Sequence, residues 1–207
     1  MNITDAISSE ETSLMAPREQ FDQWFDRRYE EKLREQKEQH IPQMALVATK
    51  GTMDMGYPPF IIASTAAALG WEVSIFCTFY GLNLLKKDLH TKVSPLGNPA
   101  MPMKMPIGPN WFKSIEWDIP NVVSSNIPGF ENFATMMMSK TLKDKGVASI
   151  EELRSLAIEA DVKMVACQMT VELFGYKQED FIDEVDDWAG AASFLSEAQQ
   201  ADICMFI

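Results

Sequence analysis

Cysteine is scarce in this chain: three among 207 residues, at positions 77, 167 and 204, with no C-x-x-C pair and no zinc-ligand spacing. That odd, dispersed set argues against a disulfide scaffold or a structural metal site and suits a reducing compartment. Histidine is scarcer still, and neither His40 nor His90 has a partner at metal-ligand spacing. Basic charge is in deficit, with 18 Lys and Arg against 30 Asp and Glu for a net charge of −12. A chain so acidic lacks the phosphate-binding face that nucleic-acid recognition needs. No run approaches the roughly 20 apolar residues that a membrane-spanning helix takes. The longest weakly polar stretch, Pro58 to Gly70, is broken up by Ser, Thr and Ala. The first twenty residues carry acidic side chains and no apolar core, so they do not read as a secretory signal, and a cytoplasmic protein is expected. There is no GxGxxG or GKT after a strand, no GxSxG and no HExxH. Nucleotide, serine-hydrolase and zincin chemistry are therefore without motif support, and no cofactor is expected.

What is present reads as one α/β domain with additions. The hydrophobic fraction of 46% is ordinary for a globular protein, and the length holds a domain of about 150 residues with room to spare. Charge is unevenly spread: residues 150–207 carry 3 basic and 13 acidic side chains, while residues 41–149 carry 9 and 7. An acidic outer face of this kind steers toward a basic partner or simply keeps the protein soluble. Residues 1–15 read as a loose polar leader. From Ala16 to about Lys37, Phe21, Trp24, Phe25, Tyr29 and Leu33 fall on one stripe of an amphipathic helix. Three rings within five residues are costly to leave in water, so this helix is expected to dock on its own domain or on a second subunit. The first 41 residues form a leader and helix, and residues 42–207 the α/β domain.

Within that domain, Met44 to Thr49 reads as a strand buried on both faces, and Lys50-Gly51-Thr52 as the turn leaving it. Pro58 and Pro59 suit the start of a helix that Gly70 stops. Glu72 to Thr78 is a second strand, followed by a turn at Gly81 and a helix over Leu82 to Leu89. From about 91 to 130 the pattern fails: prolines recur, Met101, Met103 and Met105 alternate with other residues, and a short helical turn is expected near Trp111 to Ile115. This segment reads as an insertion over the sheet's carboxyl edge. A helix follows over Phe130 to Lys145, with Phe133, Met136, Met137 and Leu142 inward. The next begins at a Ser149-x-x-Glu152 capping box, with Leu153, Leu156, Ala157 and Ala160 as its buried stripe. Beyond Cys167 come a short strand over Glu184 to Trp188, a helix over Ala189 to Ala198 and a last strand over Ala201 to Ile207. In that last strand Cys204 is expected in the core.

The segment VKMVACQMTVELFG, Val162 to Gly175, carries the most chemical information. Val162, Met164, Val165 and Ala166 form a short apolar strand, and Met169, Val171, Leu173 and Phe174 continue in a helix-compatible pattern. Cys167 thus stands at a strand's carboxyl end, where open α/β sheets bind ligands and where the free N–H groups of the following turn favour a thiolate. A buried structural cysteine is the alternative that spacing leaves open. Parallel strands would bring Lys50, Gly51, Thr52, Cys77, Thr78 and Gln168 to the same edge. Lys50 could favour the thiolate or hold an anionic sulfur group, and Cys77, one strand away, could serve as a second thiol. Thr170, three residues after Cys167, could cap the same turn or be an ordinary helix residue.

The blocks from Ala45 to Lys87 and from Ala166 to Leu195 resemble the DsrE/DsrF-like family, in that family's order and spacing, over about three quarters of the chain. The resemblance is closest to the DsrE-type branch that often carries a peroxiredoxin-like label. It implies a three-layer α/β/α fold with a mainly parallel five-stranded sheet and a role in sulfur trafficking. Cys167 matches the cysteine that carries sulfane sulfur as a persulfide or thiosulfonate, which would make the chain a sulfurtransferase or a carrier without true turnover. The family often has an aromatic residue where Cys77 stands, so the resemblance gives Cys77 no role. It also implies a TusA-like carrier and a rhodanese-like protein as partners, and a homo-oligomer, most simply a trimer. A non-catalytic binding or assembly subunit with a structural Cys167 is the competing reading.

Overall fold

Five short apolar segments of the chain become strands of a single sheet in the computed structural model, which describes residues 3–94, 103–104, 108–117 and 126–207. They are β1 (Gln43–Ala48), β2 (Glu72–Cys77), β5 (Lys163–Cys167), β6 (Asp187–Ala189) and β7 (Ile203–Phe206). Their order across the sheet is β6-β5-β2-β1-β7, and every neighbouring pair is parallel. All carboxyl ends therefore meet at one edge. Helices cover both faces, which is the three-layer α/β arrangement that the alternation of apolar strands with helical segments predicts.

Register decides which side chains share a face. Leu46, Ile75 and Met164 stand opposite one another on β1, β2 and β5, and none is exposed. Their face meets α2 (Met53–Ala68), through Phe60 and Ala63, and α5 (Ile150–Glu159), through Ile150 and Ala157. Removing side chains of this size from water contributes about 1.5–3 kcal/mol each. The other face holds Ala45, Phe76, Val165, Cys167 and Ala189 under Phe194 of α7 (Ala191–Ala198), whose ring lies 4.8 Å from that of Phe76.

Several local expectations change. Helix α2 begins after Thr52, not at the prolines. The Met53 amide is tied to the Lys92 carbonyl at 2.8 Å, the first turn is closed by the Gly56 amide on the Thr52 carbonyl, and Pro58 and Pro59 lie inside the helix. Phe79 to Leu85 forms a 3-10 turn where an α-helix to Leu89 is predicted. Leu82, Leu84 and Leu85 are all fully buried, which no single α-helical stripe allows, and the Arg154 guanidinium takes the Leu84 and Lys86 carbonyls at 2.9 and 2.8 Å. Of the predicted inward residues of α4 (Phe130–Asp144), only Met137 is buried, while Phe133 and Met136 are exposed. On α5 the capping box forms as read, but Arg154 is buried and Leu156 is not. Strand β6 starts three residues later than predicted, after Asp186 accepts the Met164 amide through its carboxylate. Cys204 is exposed, because β7 is the sheet's edge strand and its face is not covered as a central strand's is.

Within the 91–130 segment, Met103–Lys104 (β3) pairs antiparallel with Glu116–Trp117 (β4), and Asn110–Lys113 forms the short helix α3 expected near Trp111. Met101 and Met105 lie outside the described residues. The chain divides into two compact units, residues 1–41 and 42–207. The first contains helix α1, Ile3–Gln39, which starts well before the predicted Ala16. Good helix formers such as Ala6, Glu10, Glu11, Leu14 and Met15 carry it through the stretch read as a loose leader. Along α1 the rings of Phe21 and Phe25 stack at 6.4 Å, and those of Phe25 and Tyr29 at 6.2 Å. Among the described residues, no helix is long and apolar enough to cross a membrane.

Candidate functional site

Cys167 ends β5 in extended conformation and is the residue from which helix α6 (Gln168–Phe174) springs. Gly175, at φ +67°, closes that helix in the left-handed region that favours glycine. The strand-to-helix turn sets the Met169 and Thr170 backbone and the Thr170 and Thr78 side chains where their hydrogen-bonding groups favour the Cys167 thiolate. Burial alone pushes the thiol up. The hydrogen-bonding groups outweigh that push, so the Cys167 thiol sits below its ordinary value.

Two glycines bring the neighbouring loops to this place. A Cβ on Gly81 would stand 2.1 Å from the Ala48 carbonyl oxygen, and one on Gly51 would stand 2.2 Å from that of Tyr80. The loops after β1 and β2 can therefore lie against each other only while both positions lack a side chain. The Thr78 amide donates to the Ala48 carbonyl at 3.0 Å, which fixes Thr78 at the end of β2 beside β5. Phe79 then turns at φ +48°, a left-handed conformation unusual for an aromatic residue. Exposed apolar side chains flank the site: Phe79, Tyr80, Met169 and Leu173, with the Tyr80 ring stacked 6.0 Å from Phe174. Cys167 itself is only 3% exposed.

The predicted site residues separate into groups. Thr78 is among the groups that hold the Cys167 thiol down. Gly51 is a buried packing position, and Thr52 is the residue before α2. Lys50 is exposed at the end of β1 and is not among the groups that hold the Cys167 thiol down. Gln168 is turned to its own helix, donating to Glu172 at 2.7 Å. Cys77 is adjacent in the sheet yet apart in chemistry. It stands opposite Ala166, one residue before Cys167, so its side chain enters the larger core on the other face. It is fully buried, and burial pushes its thiol up to about 12. Thr170, which the spacing C-x-x-T leaves undecided, is fully buried, lies 3.1 Å from the Thr78 hydroxyl and is among the groups that hold the Cys167 thiol down. Nothing in the sequence marks the Phe79 turn.

A buried thiol biased toward its anion, at the carboxyl edge of a parallel sheet, is suited to nucleophilic chemistry at sulfur. The model of the DsrE/DsrF/DrsH-like family matches residues 40–206 of this chain. The sulfur carrier protein DsrE2 of Allochromatium vinosum is 54% identical over 164 residues, covering 79% of this chain and 97% of that protein. An uncharacterized protein of Bacillus subtilis, YrkE, is 29% identical over 162 residues, covering 78% and 94%. With the fold, the cysteine-bearing turn and these matches in agreement, the chain belongs to the DsrE/DsrF/DrsH-like family.

Proposed function

We propose that this protein is a sulfur-relay carrier that holds sulfane sulfur on Cys167. The observation that carries this reading is the contrast between two buried cysteines on adjacent strands: burial drives Cys77 up to about 12, whereas hydrogen bonds draw Cys167 below its ordinary value. In the transfer, the Cys167 thiolate attacks the sulfane sulfur of a donor persulfide. The new S–S bond forms as the donor's S–S bond breaks, and the donor leaves as a thiolate. An acceptor thiolate repeats the displacement on the sulfur now held by Cys167, and no net oxidation occurs. A sulfane sulfur bearing a sulfonate is passed by the same displacement. The relative from Allochromatium vinosum, named a sulfur carrier protein, supports this reading.

The partners proposed are a rhodanese-like donor and a TusA-like acceptor. The acidic surplus of residues 150–207 favours a basic partner surface. The working assembly is a homo-oligomer, a trimer in its simplest form, in the cytoplasm. The low exposure of Cys167 favours a second reading, a binding or assembly subunit in which the thiol is structural. Mass spectrometry after polysulfide treatment separates the two. Relay predicts a thiol-labile gain of about 32 Da, one sulfur, on Cys167 and none in Cys167→Ser. An unmodified wild-type protein would establish the structural reading instead.

A further inference from the structure

Thr170 is fully buried in the first turn of α6, and its hydroxyl oxygen is surrounded by named partners. The Phe79 amide donates to Thr170 Oγ1 at 3.4 Å, and Thr78 Oγ1 lies 3.1 Å from the same atom. A threonine hydroxyl has two acceptor sites and one hydrogen. Either hydroxyl can donate in the Thr78–Thr170 pair. When Thr78 donates, both acceptor sites of Thr170 are filled and its single hydrogen is available to Cys167, whose thiol the Thr170 side chain helps hold down. The Phe79 amide reaches Thr170 from a residue at φ +48°, a backbone conformation that costs energy for an aromatic residue and is kept only where the surroundings impose it.

From this arrangement we infer that Thr170 is the fixed hydrogen-bond donor to the reacting sulfur, that the strained Phe79 amide positions it, and that Thr78 is the movable donor of the pair. Thr78 lies at the half-buried end of the site, so its hydroxyl can turn from Thr170 Oγ1 to sulfur. The inference rests on the reading of Cys167 as the sulfur-carrying residue. It adds that the negative charge is held by neutral donors, the two hydroxyls beside the Met169 and Thr170 amides, and not by a cation. When sulfur is loaded the charge moves outward from Sγ to the added atom, and the mobile Thr78 hydroxyl follows it while Thr170 keeps Sγ in place.

The charged and titratable groups on the surrounding elements do not account for the thiol's behaviour. Lys50 after β1 and Tyr80 after β2 are exposed, and Glu172 on α6 is engaged by Gln168. Asp187 stands opposite Val165 at the start of β6, and Glu197 of α7 pairs with Lys163 at the amino end of β5.

The test is the pH profile of Cys167 alkylation in the full chain, with the Cys204→Ser background removing the exposed thiol. Thr170→Val keeps shape and loses the donor, so its midpoint should rise by about one unit, or roughly tenfold slower alkylation below the midpoint. Thr170→Ser should restore the wild-type profile. Thr78→Val, at a partly exposed position that does not fill the core, should raise the midpoint less and shorten the lifetime of the loaded persulfide. Coincidence of the Thr170→Val and Thr78→Val profiles with wild type overturns the inference. So does an unmoved Thr78→Val profile if Thr170→Val fails to fold. Alkylation needs no sulfur donor, so a shift in Thr170→Val with no sulfur uptake by wild type would refute the carrier reading while leaving the hydroxyl pair standing.

Discussion

Cys77 pairs with Ala166 across β2 and β5, and this one-residue offset from Cys167 sends the two thiols to opposite faces of the sheet. Strands about 4.8 Å apart bring their backbones within disulfide reach, but side chains on opposite faces cannot meet without turning a strand over. A resolving role for Cys77 is therefore not part of the proposed mechanism.

Labelling of the native protein should divide the three thiols. Cys204 is exposed and should react with a small alkylating reagent, Cys167 should react at a lower pH than an ordinary thiol, and Cys77 should stay unlabelled until the protein unfolds. Peptide mass mapping after timed iodoacetamide treatment reads all three at once. Native labelling of Cys77 would contradict its position in the core. Cys167→Ser should fold normally and take up no sulfur.

Alkaline stability should expose Cys77 separately. Its folded-state value is raised from 9.0 to about 12, so folding favours the protonated thiol. The sign follows from linkage: the stabilisation is fully present below pH 9 and is lost as pH rises toward 12. Cys77→Ala removes this titration. Urea unfolding between those pH values should then fall less steeply with pH in the variant than in wild type, whatever the variant's lower stability at neutral pH.

Lys50→Ala should move the Cys167 alkylation midpoint less than Thr170→Val does, because Lys50 is not among the groups that hold the thiol down. A larger shift in Lys50→Ala would show that the side chain reaches the sulfur in solution.

Gly81→Ala should be strongly destabilising for its size. The added Cβ would stand 2.1 Å from the Ala48 carbonyl oxygen, and backbone on both sides must give way. A loss of about 1–3 kcal/mol is the ordinary range for forced overpacking. Denaturant unfolding gives the loss directly, and the separation of the two loops should also raise the Cys167 alkylation midpoint by displacing Thr78.

Truncation tests the assembly. Phe21, Trp24, Phe25 and Tyr29 each expose more than half of their surface, a large apolar area for one helix. Deleting residues 1–40 should lower the oligomeric state or the solubility while residues 42–207 stay folded. Light scattering on both forms decides this, and an unchanged oligomer after truncation would remove α1 from the interface.

The sequence by itself determined the parts of this protein that depend on local pattern. Short apolar runs ending at Thr49, Thr78 and Cys167, separated by helical stretches, specify buried parallel strands, because a strand covered on both faces must be apolar throughout. The Ser149-x-x-Glu152 box and the turn after Cys167 are equally local, since a cap is written within four residues. Tertiary structure alone decided what depends on strand neighbours. Sheet order set Cys204 on an exposed edge, and register parted Cys77 from Cys167. The same packing made Arg154 buried and turned the predicted helix at Leu82 into a 3-10 turn. The two hydroxyls that meet beside Cys167 come from position 78, just past β2, and position 170, in the first turn of the helix after β5. No local period links residues so far apart in the chain, and only the hydrogen-bonded ladder between β2 and β5 brings them together.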